Sequence, residues 1–587
     1  MNPEKVDLRK MKKWIKLYKN HFKDKRLYGF DTETVNGKIY SIQIVGDGKN
    51  IFQIVDGWTT KQIVDFLFRE LDSGILYAHN LTFDFGVTAP DILDMEQKRF
   101  MFYNYKGTVL YPSPCYVSLT NGSKFFTFAD TMPFFPMSLL KASEFVGYKT
   151  KLKRPDYLGK RKPKKKEFEY FKKYAMLDAE ICEILAKNIS DLHKEFDINM
   201  RYTVSIASLS SKIYRKFFQK EKIQLPSEKI IKMALLSYHG GRVEAFGYGH
   251  SKQVRVKDIN SSYPDAMSRI IIPVEDKWKK TKKLSEFGFF TISGFIPKQK
   301  ISPLCVELNG RLTFPCGKFE KITVTGIEAM RIKEASSSFK VHKGYVYDGR
   351  YNRTMKDFVM HFYDKKKEAK KSKDKVKYHF YKLLQNALYG KTIQLNSEKV
   401  VRKASGYSVG GGFFEYDSRK VPAGMFNPVI ASWITGFARV HLYDEMKKIE
   451  PYVLYCDTDS IFMSRNAPNF KRSKALGEWD IEGVGDFYVF REKFYLLFDH
   501  EGNMIKCGRH AFRGSKESFK DCFLKEADEY EVTRMIQFKE GRIQQKQPFV
   551  MEKKLYNLKF AKSKKRVLKV ENLSFKKRWY TNKPIIL

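Results

Sequence analysis

The sequence predicts a multidomain protein in which an α/β unit is followed by units of α+β type. The first 200 residues alternate strand-like and helix-like segments, whereas the later residues group strands, turns and helices in longer blocks. The length of 587 residues corresponds to roughly three or four domains at about 100–200 residues per domain.

The elements of the α/β unit follow from periodicity and turn residues. The segments LYGFDTET and KIYSIQIVG are predicted as paired strands that turn at Asn36 and Gly37, a dipeptide typical of two-residue hairpins. VDFLFREL is predicted as a helix and ILYAHN as a buried strand. A long amphipathic helix is predicted over FEYFKKYAMLDAEICEILAKNI.

After residue 200, a helical stretch leads to a break at Gly240 and Gly241, and a strand, VRVKDINSSYP, follows. Residues 270–360 are rich in short strands and turns, and one basic helix is predicted over 364–390. A Gly-rich hairpin region, SVGGGFFEY, precedes a helix around Pro428–Met446. The segment YVLYCDTDSIFMS is predicted as a β-hairpin with acidic residues at its turn.

The composition narrows the classes of function. Lys and Arg number 109 against 66 Asp and Glu, which gives a net charge of +43 and favours nucleic acid as a partner. The 43% of hydrophobic residues excludes a mostly disordered basic protein. No apolar run approaches about 18 residues, and the amino terminus lacks the apolar stretch of a secretory signal. The seven cysteines form no C-x-x-C pair, which argues against a zinc ribbon or a disulfide framework.

A first set of acids lies in the α/β unit. Asp31 and Glu33 are two residues apart on a strand and therefore project to one face. Asp84 follows a buried strand, and Asp178 lies one helical turn after Tyr174. Such acids can converge to hold two divalent metals for phosphodiester hydrolysis, with the tyrosine holding the attacking water. Unrelated surface acids are the alternative interpretation.

A second set lies in the later part of the chain. Asp258 is on an apolar strand, and Asp457 and Asp459 occupy alternate positions of a hairpin. Few basic residues adjoin these acids in sequence, so we interpret them as a metal site rather than a salt bridge. Two metals about 3.5–4 Å apart would align a 3′-hydroxyl with an α-phosphate for nucleotidyl transfer. An ordinary acidic turn is the alternative for YCDTDS alone.

Between these acids lies the segment YKLLQNALYGKT. On a helix, Lys382, Asn386 and Tyr389 share one face. A lysine there can neutralise the charge of a triphosphate, and the tyrosine can stack on a new base pair. Gly390 would permit close approach. The alternative is an amphipathic core helix with a solvated lysine.

In this order the motifs resemble those of family-B DNA polymerases. The family patterns D-x-x-S-L-Y-P, K-x-x-x-N-S-x-Y-G and Y-x-D-T-D-S correspond here to Asp258–Pro264, Lys382–Gly390 and Tyr455–Ser460. Ser262 stands in place of the leucine of the first pattern, and Ala387 stands in place of the serine of the second pattern. The acids of the first set, in the patterns D-x-E, N-x-x-F-D and Y-x-x-x-D, resemble the proofreading 3′–5′ exonucleases of the DnaQ-like class. Over essentially its whole length, the chain is most similar to the protein-primed subgroup of small phages, the phi-twenty-nine type.

The resemblance implies roles for residues of an exonuclease site. The metal ligands would be Asp31, Glu33, Asp84 and Asp178, which with Tyr174 would form the catalytic group. Residues that would hold unpaired bases or contact the DNA strand are Thr34, Asn80, Phe83, Thr131, Lys153 and Tyr157. A packing role is the alternative for Thr131.

The resemblance also implies roles for residues of a polymerase site. The metal ligands would be Asp258, Asp457, Asp459 and the backbone carbonyl of Ile259, and Lys382 would join the three acids in catalysis. The nucleotide-binding residues would be Tyr263, Lys382, Asn386, Tyr389 and Lys370, for which Lys371 is a rival. Tyr263 would be the steric gate that selects dNTPs. The DNA-binding residues would be Tyr238, Gly240, Gly241, Thr435, Arg439, Lys493 and Tyr495.

The family organisation implies domain boundaries for this chain. An RNase H-like exonuclease domain would cover residues 1–198, and a right-hand polymerase would follow. Its parts would be the palm (199–270 and 428–540), the fingers (366–396), the thumb (541–587) and two insertions (271–365 and 397–427). The first insertion is expected to engage a priming terminal protein, and the second to support strand displacement and processivity.

The leading hypothesis is a replicative, protein-primed DNA polymerase with proofreading. It would use two Mg²⁺ or Mn²⁺ ions per active site and bind DNA template, primer, dNTPs and a terminal protein. It is expected to act as a monomer in the host cytoplasm, encoded by a phage, without membrane contact or secretion. The alternatives are a family-B polymerase of plasmid or repair type with ordinary primers, and a non-catalytic basic DNA-binding protein. A reverse transcriptase fits less well, because the hairpin reads C-D-T-D-S.

Overall fold

The structure of this chain is a computed structural model. It describes residues 1–94, 99–110, 116–148, 152–403, 414–509, 521, 529–535, 551–557, 565–567 and 579–587. None of the helices in these residues is both long and apolar enough to cross a membrane. Within them the cysteines are free thiols, and Cys115 and Cys522 lie outside the described residues.

The predicted α/β unit is confirmed. Its eight-stranded sheet has the order β4-β3-β2-β5-β9-β8-β7-β6, in which β2 and β9 both run parallel to β5. The predicted turn between β2 and β3 has positive φ at Asn36 (50°) and Gly37 (76°), as a two-residue hairpin requires. The strands are β2 (Arg26–Val35), β3 (Lys38–Gly46), β4 (Lys49–Ile54), β5 (Gly74–Ala78), β6 (Arg99–Phe102), β7 (Tyr105–Leu110), β8 (Tyr116–Thr120) and β9 (Phe125–Asp130), preceded by β1 (Trp14–Ile15).

The helices of this unit pack on the sheet. They are α1 (Thr60–Glu70), α2 (Leu81–Thr88), α3 (Pro90–Asp94), α4 (Leu139–Phe145) and α5 (Phe168–Glu195). A Cβ at Gly29 of β2 would lie 1.9 Å from the carbonyl oxygen of Ala179 on α5. The backbones of strand and helix therefore touch, and this contact brings α5 close to the acids of β2.

The chain then enters a second layered region. Its first elements are α6 (Ile206–Ile213), a π-helical turn (Tyr214–Phe218), β10 (Ile223–Gln224), α7 (Glu228–Ser237), β11 (Val243–Ala245), β12 (Gly247–Ile259), α8 (Ser262–Arg269) and β13 (Ile272–Pro273). The strand predicted over VRVKDINSSYP is too long. It ends at Ile259, and Tyr263 and Pro264 lie on α8 because the backbone turns at Ser261, which has a φ of 60°.

Residues 278–352 form a compact addition to this region. A four-stranded antiparallel sheet of order β14-β19-β15-β18 carries a small core that includes Phe290, Ile292 and Phe319. The elements are β14 (Trp278–Lys280), β15 (Gly288–Ile296), β16 (Val306–Leu308), β17 (Arg311–Thr313), β18 (Gly317–Thr325), α9 (Gly326–Ala335), β19 (Ser338–Tyr347) and β20 (Tyr351–Asn352). The strands agree with the prediction, but α9 was not predicted.

The single basic helix predicted over 364–390 is wrong. Two helices, α10 (Thr354–Lys371) and α11 (Lys375–Lys391), pack against each other. The chain reverses at Lys373, whose φ is 59°, and the Asp374 carboxylate caps α11 by accepting a hydrogen bond from the Lys377 backbone N–H at 2.9 Å. Strands β21 (Leu395–Lys403) and β22 (Phe414–Pro422) pair here, as predicted for a hairpin, and residues 408–413 of SVGGGFFEY lie outside the described residues.

The remaining elements complete the second large sheet, of order β11-β23-β24-β12-β25-β26-β27. They are α12 (Pro428–Lys448), β23 (Val453–Asp457), β24 (Ser460–Met463), β25 (Trp479–Arg491), β26 (Phe494–Phe498) and β27 (Met504–Arg509). The predicted helix and the predicted acidic hairpin are both confirmed. Near the end of the chain lie β28 (Glu529–Met535), β29 (Met551–Asn557), β30 (Arg566–Val567), β31 (Trp579–Thr581) and β32 (Lys583–Pro584).

The last described segment returns to the second sheet. Strand β31 pairs with β12, and the ring of Trp579 lies against Gly247, where a Cβ would approach it to 2.4 Å. The Arg566 guanidinium donates to the Glu244 carboxylate at 3.1 Å, and this carboxylate also binds Arg242. All three side chains are buried. Residues far apart in sequence are thus joined beneath the sheet.

Candidate active sites

Three acids of the first set meet at one point. Asp31 and Glu33 project from β2, Asp178 projects from α5, and their ligand atoms lie within 4.8 Å of one another. Glu33 and Asp178 are buried. A close group of buried carboxylates fits hard divalent cations, which prefer oxygen ligands. The predicted convergence of these three residues is confirmed.

Asp84, the fourth predicted acid, lies beside this group rather than within it. It sits on α2, is buried, and accepts a hydrogen bond from the Thr32 hydroxyl at 2.8 Å. Burial and then the charge of Asp130 raise the pKa of Asp84 to about 7. An added cation would lower this pKa.

Asp130, at the end of β9, was missed by the sequence reasoning. Its carboxylate accepts backbone hydrogen bonds from Asn80 at 3.0 Å, Leu81 at 3.1 Å and Met132 at 2.8 Å. Burial raises its pKa to about 6. These bonds hold Asn80 in its left-handed conformation, with a φ of 78°. The available signal was an acid ending an apolar strand, FFTFAD.

Tyr174 lies one turn before Asp178 and is buried. Burial, followed by the charges of Asp178 and Glu33, raises the pKa of Tyr174. The phenol therefore keeps its proton at neutral pH and can act as a hydrogen-bond donor beside the carboxylates.

Most of the predicted DNA contacts near the first set lie at the surface. Lys153 is exposed, and Thr34, Asn80, Phe83 and Tyr157 are half-buried. Thr131 is a correction: its side chain is fully buried, and its hydroxyl bonds with His79 Nδ1 at 2.8 Å and donates to the Ala78 carbonyl at 3.2 Å. The packing alternative for Thr131 is the one that its environment supports.

The second set of acids lies on the second sheet. Asp258, on β12, pairs in register with Ser460, which also pairs with Asp457 across the hairpin. The Ile259 backbone N–H donates to the Asp459 carbonyl at 2.9 Å. The sheet thus places the three acids on neighbouring strands and at their turn, as predicted.

One interpretation of this set is corrected. The Lys493 ammonium forms an ion pair with the Asp457 carboxylate. A basic residue distant in sequence therefore adjoins these acids, although few basic residues do so along the chain. Lys506 and Glu482, which pair with each other, also influence Asp258 and were not predicted. These residues become neighbours only because the strands β12, β25 and β27 lie in one sheet, so no local sequence motif marks them.

The acids of the second set repel one another. Burial, followed by the charges of Asp459 and Glu482, raises the pKa of Asp258 to about 7. Burial also raises the pKa of Asp459. Like charges in a partly buried site disfavour ionisation, and a divalent cation would relieve this repulsion. The donor set therefore fits metal binding.

A tyrosine stack lies beside the second set. The rings of Tyr263 on α8 and Tyr389 on α11 are stacked, with centroids 4.2 Å apart and an interplanar angle of 5°. Lys382 is exposed on α11, and Asn386 is half-buried one turn away. A Cβ at Gly390 would meet no atom within 4 Å, so no contact among the described residues requires glycine there.

Lys370 and its rival Lys371 both lie exposed at the end of α10. Lys366, one turn earlier, points inward instead. Its ammonium donates to Ser261 Oγ at 3.4 Å and to Gln385 Oε1 at 3.3 Å, and burial, then Lys382, lower its pKa. The helical period of this basic run could not predict which of these lysines points inward and which could bind a triphosphate.

Two segments predicted to contact DNA, the segment 238–241 and the part of α12 that carries Thr435 and Arg439, contact each other inside the protein. Arg439 is buried; its guanidinium pairs with Glu328 at 2.8 Å and donates to the carbonyls of His239 and Gly240. Thr435 is buried, and its hydroxyl donates to the Ser432 carbonyl at 3.3 Å. Arg439 thus supports the backbone at His239 and Gly240, and Thr435 bonds within its own helix, so their burial does not favour direct DNA contact.

The backbone supported by Arg439 is partly open. Gly240 is exposed, whereas a Cβ at Gly241 would lie 2.7 Å from the side chain of Thr458, between the two hairpin acids. Burial and then Tyr389 raise the pKa of half-buried Tyr238 to about 12. Tyr495 is a further correction: it is buried, with its ring 5.1 Å from that of Tyr455, so direct DNA contact is not supported.

Comparison with known proteins agrees with this geometry. Residues 148–402 match the family described as DNA polymerase type B, organellar and viral. The chain is similar to the type-B DNA polymerases of organelles and viruses. The matched part contains Asp178, Asp258 and Lys382.

Individual relatives are distant. The DNA-directed DNA polymerase of Enterobacteria phage PRD1 is 28% identical over 359 residues, which are 54% of this chain and 60% of that protein. A probable DNA polymerase of Ascobolus immersus is 23% identical over 534 residues, 82% of this chain and 42% of that protein. The chain thus spans less than two thirds of these relatives. The DNA polymerase of Bacillus phage B103 is 25% identical over 402 residues, 62% of this chain and 67% of the phage protein.

Solved structures show the fold. Phi29 DNA polymerase, complexed with primer-template DNA and incoming nucleotide substrates, has a TM-score of 0.68 at 16% identity. The match covers 91% of this chain and 100% of that chain. The same polymerase complexed with single-stranded DNA has a TM-score of 0.64. The chain therefore has the fold of Phi29 DNA polymerase.

Proposed function

We propose that this protein is a DNA-directed DNA polymerase of the viral, protein-primed type, with a 3′–5′ proofreading exonuclease in the same chain. The observation that carries the proposal is the presence of two separate carboxylate groups on two sheets, within a chain that has the Phi29 polymerase fold. One group would serve hydrolysis and the other nucleotidyl transfer.

The domain assignment belongs to the same proposal. The first sheet and α5 would be the exonuclease (1–198), and the second sheet the palm (199–270 and 428–540). The fingers (366–396) would hold the last part of α10 and the whole of α11. The four-stranded addition and the β21–β22 hairpin would be the two insertions (271–365 and 397–427), and the thumb (541–587) lies largely outside the described residues.

At the polymerase site, Asp258, Asp457, Asp459 and the carbonyl of Ile259 would hold the ions. When bound, two divalent cations supply charge stabilisation at the attacked phosphate and at the leaving oxygen. Lys382 would bind the triphosphate, and the stacked pair Tyr263 and Tyr389 would support the new base pair and exclude a ribose 2′-hydroxyl.

At the exonuclease site, Asp31, Glu33 and Asp178 would hold the ions, and Asp84 would complete the group by turning from Thr32. Tyr174, which keeps its proton, would orient the attacking water by donating a hydrogen bond to it. Asn80, held in place by Asp130, would position the last base of the frayed strand together with Phe83.

The expected partners follow from the same resemblance. Phi29 polymerase structures contain primer-template DNA and incoming nucleotides, and we extend these ligands to this chain. Its net charge of +43 suits long contact with DNA phosphates. A terminal protein that supplies the priming hydroxyl would bind the first insertion.

The proposal is tested by primer extension on singly primed circular DNA with Mg²⁺ and dNTPs. Asp459→Ala should abolish synthesis while degradation of single strands continues, and Asp31→Ala/Glu33→Ala should do the reverse. Retained synthesis in Asp459→Ala would contradict the metal assignment. Retained degradation in the double variant would contradict the exonuclease assignment.

The mode of priming needs a separate assay. A tyrosine, serine or threonine hydroxyl on a protein primer should be extended by the protein-primed type. Extension from oligonucleotides alone would favour the plasmid or repair type. Loss of all metal-dependent incorporation in a folded preparation would favour a non-catalytic DNA-binding protein.

A further inference from the structure

Two adjoining cavities lie on the α/β unit, away from its carboxylates. The first has a volume of about 430 Å³ and opens at the amino ends of β5 and β9, where Gly74 and Phe125 lie. The second, of about 410 Å³, lies over β6, β7 and β8. Asp130 and Asn80 lie at the opposite, carboxyl edge of the same parallel strands.

The two cavities share one boundary. Phe125 and Arg201 line both of them, and Tyr202 lines the second. The Arg201 guanidinium lies 5.0 Å from the centroid of the Tyr202 ring and 5.8 Å from that of Phe125. The Tyr202 ring in turn lies 5.5 Å from that of Tyr116. Aromatic rings and a guanidinium therefore form a continuous floor from one cavity to the other.

The rim of this floor is positively charged. Its exposed cations are Lys23, Lys25, Arg99, Lys106 and Arg201. Neither cavity has an aspartate or a glutamate among its lining residues. In the described part of the chain, none of the five cations has an ion pair with a carboxylate. Within the described residues, the positive charge of this rim is therefore not neutralised by an ion pair, which favours a polyanionic ligand.

One local feature is unusual for a plain protein surface. Tyr202 is 43% exposed and has a φ of 56°, a left-handed conformation that bulky side chains rarely adopt. Strained backbones are enriched at binding sites. Tyr116 is buried at the cavity wall below this ring.

The loop that carries Arg201 and Tyr202 is firmly held. The Lys212 ammonium, on α6, donates to the carbonyl of Arg201 at 2.9 Å and to the hydroxyl of Thr203. The Lys216 ammonium donates to the carboxylate of Asp197 at 2.7 Å. The exposed ring of Tyr202 is therefore presented by a fixed backbone rather than by a loose loop.

From these contacts we propose that the two cavities form a second binding site for single-stranded DNA, distinct from both carboxylate groups. Bases would stack on Tyr202 and Phe125, and the five cations would follow the phosphates. Aromatic side chains interleaved with cations are the general means of binding a single strand without sequence preference. The inference goes beyond the proposed function, because it requires neither active site.

The test is ultraviolet cross-linking of an oligothymidylate to the full chain in EDTA, with the cross-linked peptides identified by mass spectrometry. Peptides that contain Phe125 or Tyr202 should be cross-linked. Arg201→Glu/Lys106→Glu should reduce these cross-links by about tenfold or more, the scale expected for loss of a stacked base and its cations. Because EDTA prevents catalysis, the outcome is independent of polymerase or exonuclease activity.

The matched control is Lys282→Glu/Lys283→Glu, which changes the net charge equally at exposed lysines of the four-stranded addition. Its cross-links at Phe125 and Tyr202 should stay within about twofold of the wild type, because screening confines such charges to nearby sites. Tyr202→Leu keeps every charge and should also reduce the Phe125 cross-link. This variant tests the proposal even if Arg201→Glu/Lys106→Glu fails to fold.

Three results would overturn the proposal. The first is a wild-type protein without cross-links at either aromatic residue. The second is an equal loss in the Lys282/Lys283 control, which would mean binding by overall charge alone. The third is competition by dTMP that equals competition by the oligothymidylate at the same phosphate concentration, which would mean a mononucleotide pocket.

Discussion

At the scale of single residues, the carboxylates of the second set differ in their surroundings. Asp457 is paired with Lys493, whereas burial, followed by the charges of Asp459 and Glu482, raises the pKa of Asp258 to about 7. An aspartate in the unfolded chain has a pKa of 3.8. The unfolded state therefore loses this proton more readily, and without metal the folding stability falls as the pH rises from about 4 to about 7.

The first prediction follows from this fall of folding stability with rising pH. Asp258→Asn removes the titrating group, so at pH 8 in EDTA the variant should be more stable than the wild type by about 2 kcal/mol. The difference should shrink to a small fraction near pH 4, where Asp258 is protonated in the folded state and partly protonated in the unfolded state. Urea unfolding at several pH values measures it. A wild type that is equally stable at pH 8 would contradict the raised pKa.

The second prediction concerns the neighbour of Asp258. Lys257 is buried; its ammonium pairs with Glu445 and lies 3.7 Å from the centroid of the Phe470 ring. Lys257→Ala should destabilise the protein by about 3 kcal/mol, because it leaves a buried carboxylate with less compensation. Thermal unfolding with calorimetry measures this loss.

Two further variants separate the charge effect from lost packing. Lys257→Met/Glu445→Leu should recover most of the stability, since it removes both buried charges. Lys448→Ala deletes the exposed partner of Glu445 and should change stability by less than about 1 kcal/mol. Equal losses in Lys257→Ala and the double variant would point to packing alone.

The sequence could predict the acids themselves but not what surrounds them. Asp31, Glu33 and Asp178 follow from the periods of a strand and a helix, and the structure brings them together. Lys493 and Asp457 are 36 residues apart, and Asp130 and Asn80 are 50 apart. No local period connects such pairs, since the pairing depends on which strands become neighbours. Burial of Thr131, Arg439 and Tyr495 has the same cause.

At the scale of elements, most strands and helices were predictable from periodicity and turn residues. The break between α10 and α11 was not, because the run KKSKDKVK contains neither glycine nor proline. The signal was Asp374, a capping residue in a basic helix-like run. Helix α9 was missed because the surrounding residues favour strands.

This break supplies the third prediction. Lys373 has a φ of 59° and ends α10 in the left-handed conformation. Lys373→Gly should raise stability by about 0.5–1 kcal/mol, and Lys373→Val should lower it by about 1 kcal/mol or more. Chemical denaturation measures both. Lys367→Gly, inside the helix, is the control and should be destabilising.

The β21–β22 hairpin carries the fourth prediction. Replacement of its tip by a short turn should leave extension on single-stranded template intact but stop synthesis where the template becomes duplex. We expect this result because the proposed second insertion would separate the two DNA strands ahead of the polymerase site. Extension on open and on gapped templates measures the difference. Unchanged synthesis through duplex would assign strand displacement to another element.

At the scale of the whole molecule, the charge of +43 makes a prediction about affinity. Binding to primer-template DNA should fall by about a thousandfold when monovalent salt rises from about 50 to about 200 mM, as for a protein that neutralises at least six phosphates. Fluorescence anisotropy in EDTA measures the slope. A slope near zero would contradict the expected contact with the DNA backbone.

The pairing of β31 with β12 also has a consequence for the order of events during synthesis on the ribosome. The first sheet and α5 are translated early and can fold while the rest of the chain is still being made. The sheet that holds Asp258 gains its pairing with Trp579–Thr581 and its buried Arg566–Glu244 ion pair only after these late residues are made. Under the proposed function, a nascent chain would therefore assemble the acids assigned to hydrolysis before it completes the sheet of those assigned to nucleotidyl transfer.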